Sequence, residues 1–192
     1  MTRRQFFNAV AGGGGDVLKR VLSLLAKTKT PYCVIGGLAV NAYAEPVVSL
    51  DLDLVVSSAK LAEFLLAAKR AGFKAKVFKC SINLSAPGSD LRIQLQTDER
   101  YQPFISRAKL KTVLGYRMKV AAVEDVLQGK IWAHGDASRR MSKRQKDLAD
   151  IMRLLEKRPR LRKTAIGYES LMRSLKYAHS GRKFSRDEMN ER

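Results

Sequence analysis

Val34-Ile35-Gly36-Gly37, followed after thirteen residues by Asp51-Leu52-Asp53-Leu54, is the stretch that decides the reading of this chain. Behind Pro31, the run Tyr32-Cys33-Val34-Ile35 is β-branched and aromatic, which predicts a buried strand that stops at the two glycines. Leu38 to Ala44 then holds good helix formers until Glu45-Pro46 breaks the pattern, so a short helix is expected to start at the glycines. From Leu50 to Val56 the residues alternate. Asp51, Asp53 and Val55 fall on one face of a strand, and Leu50, Leu52, Leu54 and Val56 fall on a core face.

Asp is disfavoured in strands, and two carboxylates on one face repel each other. The plain explanation is a solvated edge strand, the ordinary use of alternating polar residues. The strand, Gly-Gly and helix in front of the pair favour a second explanation. Phosphoryl-type transfer with divalent cations needs carboxylates that point the same way from a rigid support, and residues i and i+2 of a strand do so. The glycines allow close backbone approach, and amides at a helix start can cradle phosphate.

Working outward, 192 residues with 45% hydrophobic composition suffice for one substantial core with a smaller helical part. The formal net charge is +19. It is uneven, with +6 in residues 1–100 and +13 in residues 101–192. Such a surplus favours polyanionic partners, RNA, DNA or nucleoside triphosphate, over cationic small molecules. No apolar run approaches the length of a membrane span. Arg3-Arg4 looks like the start of a twin-arginine signal, but no apolar stretch follows, so this segment is read as a short arm. Cys33 and Cys80 lack metal-ligand spacing and are read as buried thiols in a cytoplasmic protein. Two histidines, His134 and His179, exclude a His-rich metal site.

Four segments follow: a flexible N-terminal arm over 1–15, a core over 16–120, a helical C-terminal part over 121–180, and a polar tail over 181–192. In the core, Val17, Leu18, Val21, Leu24 and Leu25 recur at helical spacing. Ser57 and Ser58 can cap a helix ending near Gly72. Phe73–Phe78, Ser81–Leu84 and Leu91–Gln96 are strand candidates, giving a mixed sheet of four or five strands, with a hairpin around Gly115. Val123 to His134 and the stretch from Ser138 to Pro159 read as helices. One more helix is expected near 168–177. The fold class is α/β (α+β).

The stretch from Val34 to Leu54 resembles the DNA polymerase beta-like nucleotidyltransferase superfamily. A second block, Val123 to Lys130 followed by Lys143 to Ile151, is similar to the helical motif of its abortive-infection (AbiEii-type) branch, which includes toxins of toxin–antitoxin systems. The resemblance implies Mg²⁺ (or Mn²⁺) on Asp51 and Asp53, and an NTP substrate bordered by Gly36 and Gly37. It also implies that Lys130 neutralises phosphate, with Asp147 pairing with Lys130 or contacting the nucleotide. Asp150 could equally pair with Lys146 four residues before it. Two departures stand out. Gly37 replaces a common serine, and Gln94 stands where many members carry a third carboxylate. A glutamine cannot take a proton at neutral pH. Asp90 shares its strand face but lies roughly 13 Å along it.

The implied activity is transfer of an NMP from an NTP to an acceptor hydroxyl. RNA, tRNA in particular, suits the basic half better than the polycationic antibiotics used by some relatives. A toxin–antitoxin or phage-defence role with a cognate antitoxin or other protein partner goes with that reading. The departures leave open an inactive nucleotide- or RNA-binding module, or a partner-binding component.

Overall fold

The computed structural model describes residues 2–12 and 16–163. The helix expected near 168–177, the polar tail and glycines 13–15 lie outside the described residues. The elements run α1 (Arg3–Val10), α2 (Val17–Lys27), β1 (Tyr32–Ile35), α3 (Gly36–Val40), β2 (Asp51–Val56), α4 (Ser58–Arg70), β3 (Lys74–Val77), β4 (Ser81–Ser85), β5 (Arg92–Gln96), α5 (Phe104–Arg107), β6 (Lys109–Val113), β7 (Tyr116–Val120), α6 (Val123–Gly135) and α7 (Met141–Lys157). A short 3-10 turn at Glu99–Tyr101 precedes α5, and another at Pro159–Lys163 follows α7.

One mixed sheet orders the strands β3-β4-β5-β2-β1-β7-β6. The count is seven rather than four or five. The hairpin of β6 and β7, read from sequence as separate, joins the sheet because β7 lies parallel to β1, with Ala121 N–H donating to the Val34 carbonyl at 3.0 Å. Strand β2 is therefore central, not an edge strand. It is antiparallel to β1 and parallel to β5. Leu52 and Leu54 are fully buried, and so is Val55, which alternation had placed on the open face. Helix α5 packs over this end of β1 and β2.

The residues read as a flexible arm carry α1. Thr2 Oγ1 accepts from Gln5 N–H at 3.2 Å, and Gln5 Oε1 accepts from Thr2 N–H at 2.8 Å, a reciprocal cap. Phe7 is 2% exposed and meets Tyr116 edge to face at 6.4 Å. The Tyr116 hydroxyl donates to Asp16 Oδ1 at 2.8 Å, and Arg4 forms an ion pair with Asp16. The Ser57 hydroxyl makes no cap bond at α4. Instead Gln102 Oε1 accepts from Ser58 N–H at 3.1 Å while its amide donates to the Val56 carbonyl. Cys33 is buried as expected, whereas Cys80 is exposed.

Because Phe7 belongs to the main core, Phe7→Ala is expected to lower the unfolding free energy by about 3 kcal/mol. Urea denaturation checks this; a loss below about 0.5 kcal/mol, the range of surface substitutions, would mean that α1 is not part of the cooperative core.

Candidate active site

Helix α3 begins directly at the end of β1, and the turn needs glycine. Gly36 has φ +67°, and a Cβ there would lie 1.9 Å from Asp53 Oδ2. The β1–β2 register puts Ile35 opposite Asp53, so the carboxylate sits against the first turn of α3. A Cβ at Gly37 would meet Ser49 Oγ at 3.4 Å. Ser49 is 7% exposed and accepts weakly from Asp51 N–H at 3.4 Å. A hydroxyl thus stands beside Gly37 although the residue itself has none.

On β5, Arg92 and Gln94 lie opposite Asp51 and Asp53, and Asn83 of β4 lies opposite Gln94. Arg92 Nε is 2.7 Å from Asp51 Oδ1. Asp53 has no such partner among the described residues. Burial is the main cause that pushes its pKa from 3.8 to about 6; Asp51 adds to the rise, while Lys130, Lys146 and Arg139 oppose it.

Helices α6 and α7 form the opposite wall. Lys130 Nζ lies 2.8 Å from Asp147 Oδ1 and 2.6 Å from Asp150 Oδ2, all three residues being buried. Burial alone would lower the lysine's pKa, but Asp150 and Asp147 more than offset it and hold it above the ordinary value. Asp147 also pairs with Arg139 at 3.0 Å and Asp150 with Arg153 at 2.7 Å. Asp150 therefore points inward and does not pair with Lys146. Arg153 continues to Asn41 Oδ1 at 3.1 Å and to the Glu45 carbonyl. Asn41 in turn holds Val47 through both its amide atoms, at 2.7 and 3.0 Å.

Between the two walls lies a cavity of about 400 Å³, within the range of small-molecule sites. Gly36, Gly37, Asp51, Asp53, Gln94, Lys130 and Asp147, all singled out from the sequence, line it together. Arg139, Arg140, Lys143 and Lys146 line it too, so a basic cluster faces it. Asp90 is not among the lining residues. Tyr101 and Phe104 close one side, and Trp132 packs against both, at 5.4 and 5.9 Å between ring centres. Sequence reasoning missed Ser49, Asn83 and Arg92. Arg92 could have been found as the residue two before Gln94 on one strand face; nothing in the sequence marks Ser49.

No group of three or more His, Cys, Asp or Glu suited to a metal ion occurs among the described residues. Two carboxylates nevertheless fit a single hard cation that keeps water and phosphate oxygens for its other positions, as Mg²⁺ does. Asp53 makes no ion pair among the described residues, so a cation there would supply a counter-charge.

The sequence matches no family model and no curated protein. Solved structures do resemble the fold. ANT(2'')-Ia in complex with adenylyl-2''-tobramycin superposes with a TM-score of 0.58 at 12% identity, over 81% of this chain and 97% of that one. LnuA, a lincosamide antibiotic adenylyltransferase with lincomycin bound, gives 0.52 at 12%, over 71% and 95%. An antigenic nucleotidyltransferase-like protein from Paracoccidioides brasiliensis gives 0.54 at 16%, over 86% and 89%. This chain has the nucleotidyltransferase-like fold. The expectation from Gly36-Gly37 and Asp51-Leu52-Asp53 is borne out at that level. No helix among the described residues is long and apolar enough to cross a membrane.

A carboxyl whose pKa is raised on folding binds more protons in the folded state, so stability falls as pH rises from the unfolded value towards the folded one. Cation-free protein is expected to lose stability between about pH 4 and pH 6 through Asp53, and Asp53→Asn to remove that loss. Carbon-detected NMR titration checks the cause: a midpoint near 6 agrees, and one near 4 contradicts it.

Proposed function

We propose that the protein transfers a nucleoside monophosphate from an NTP to a hydroxyl of an RNA acceptor, with tRNA the first candidate. The observation that carries this reading is the pair Asp51 and Asp53, aimed from the central strand into a cavity whose far wall is cationic. In the reaction a bond forms between the acceptor oxygen and the α-phosphorus. The bond from that phosphorus to pyrophosphate breaks, and the acceptor proton leaves to water. Mg²⁺ (or Mn²⁺) held by Asp51 and Asp53 would neutralise charge on the phosphates.

The chain's own residues do the remainder. Gly36 and Gly37 leave the α3 backbone open to a phosphate, and the Ser49 hydroxyl stands beside them. Arg140, Lys143 and Lys146 make no ion pair among the described residues, which leaves them for the triphosphate and the acceptor. Lys130, committed to Asp147 and Asp150, contributes its field at Asp53 and the placement of α7 rather than a direct phosphate bond. Gln94 cannot act as base, so acceleration rests on positioning and electrostatics.

ANT(2'')-Ia and LnuA act on antibiotics. A polycationic acceptor would be repelled here by Arg139, Arg140, Lys143 and Lys146 at the pocket. The resemblance of the α6 and α7 sequences to the abortive-infection branch makes a toxin–antitoxin or phage-defence setting in the cytoplasm, with a cognate antitoxin, part of the proposal. A second reading, an inactive nucleotide- or RNA-binding module, is favoured by Gln94 alone.

The test is transfer of label from each of four α-labelled NTPs to total RNA. Label is expected with the wild type, reduced at least about a thousandfold in Asp51→Asn/Asp53→Asn. Binding of Mg-NTP with no transfer to RNA would replace the proposal with the binding module.

A further inference from the structure

Helix α7 spans 17 residues, about 25 Å. Its N-terminal end stands at the cavity, where Arg140, Lys143 and Lys146 make no ion pair among the described residues. Its C-terminal end enters a second basic region whose residues do not line the cavity. Residues 157–163 carry five cations and no acid, and the β6–β7 hairpin, residues 109–120, carries four cations and no acid. The two segments meet on one aromatic side chain. Lys111 Nζ lies 5.0 Å and Arg158 Cζ 5.6 Å from the centre of the Tyr43 ring, whose hydroxyl donates to the Ala121 carbonyl at 2.7 Å. Glu45, two residues after Tyr43, and Glu124 and Glu156 are exposed acids close to these segments, so the cations outnumber but do not exclude acids there; Asp125, also close to Tyr43, is neutralised by Arg107 at 2.7 Å.

The two ends are joined along one side of the helix. Lys146 and Lys157 are exposed and lie eleven residues apart on one side of α7, while Arg153 between them is tied to Asp150, Asn41 and the Glu45 carbonyl. Exposed cations that lead from the pocket to the basic face around Tyr43 fit a chain of phosphates better than a free nucleotide.

We infer that the stripe of α7 and the basic face around Tyr43 form a docking track for the backbone of an RNA acceptor whose reactive end lies in the cavity. The inference rests on the proposed function for the acceptor's identity. It adds that the acceptor is a structured RNA that extends about 15 Å along α7 beyond the cavity-lining Asp147, so free nucleosides and very short oligonucleotides are poor acceptors. The track outside the cavity positions RNA and does no chemistry; removing the charges of Lys109, Lys157 and Arg158, none of which lines the cavity, raises KM for RNA and leaves KM for NTP unchanged.

The test measures anisotropy of a fluorescein-labelled stem-loop RNA across a salt series. It compares wild type, Lys109→Glu/Lys157→Glu/Arg158→Glu, and a control with the same change of charge at the opposite sheet edge, Lys69→Glu/Arg70→Glu/Lys74→Glu. The track variant is expected to bind at least about tenfold more weakly, with a salt slope flatter by about one for each cation removed, while the control stays within about twofold. Thermal unfolding verifies both folds, and the corresponding glutamine variants serve if a charge reversal prevents folding. Equal weakening in both variants, or none in the track variant, overturns the inference. So does binding to phosphatidylserine vesicles without binding to RNA. If the binding pattern holds and no NTP is transferred by the wild type, the transfer reading fails and the docking track stands.

Discussion

Two carboxylates on one face of the central strand are an unfavourable arrangement, and much of the molecule is organised by it. Asp51 and Asp53 repel each other across one residue of β2, whose other face, Leu52, Leu54 and Val56, is apolar and buried. Asp51 is offset by Arg92 from the neighbouring strand. Asp53 has no ion-pair partner among the described residues, and burial pushes its pKa up to about 6. Gly36 is required for the same reason: its φ is positive, and any Cβ would occupy the place of the Asp53 carboxylate. Strand, glycine turn and acidic pair are thus one constraint.

The positive charge that answers this pair is itself held in place. Lys130 is buried between Asp147 and Asp150, and each carboxylate carries a further arginine, so no member of the group is an unpaired buried charge. The group locks α6 to α7. Through Arg153 and Asn41 it also reaches the loop that leads into Asp51. A change at Lys130 therefore perturbs both the field at Asp53 and the approach of β2, which makes it a positioning residue whatever else it does.

The parts of this arrangement readable in the sequence were those set by local period. Alternation put Asp51 and Asp53 on one face, and the short apolar run before Gly36-Gly37 placed the turn. Helical spacing around Val126 and Ile151 placed Lys130 and Asp147 on neighbouring helices. What failed to show depends on register or on distant packing. Arg92 and Asn83 matter because of which residues they face across strands. The hairpin joins the sheet through β1, where Val120 pairs with Val34, 86 residues earlier in sequence. Asp150 could have paired outward with Lys146 by spacing alone, but the inner face of α7 is where Lys130 lies. Phe7 was missed through its neighbours, since the polar residues and glycines around it read as an arm, although Thr2 and Gln5 form a legible cap.

The most direct test of the central claim is a crystal structure with Mn²⁺ and a non-hydrolysable NTP analogue. The account predicts an anomalous peak coordinated by both Asp51 and Asp53, the triphosphate against the backbone of Gly36 and Gly37, and Arg92 displaced from Asp51. A cation bound elsewhere, with Arg92 still paired to Asp51 and no phosphate at the glycines, would contradict it.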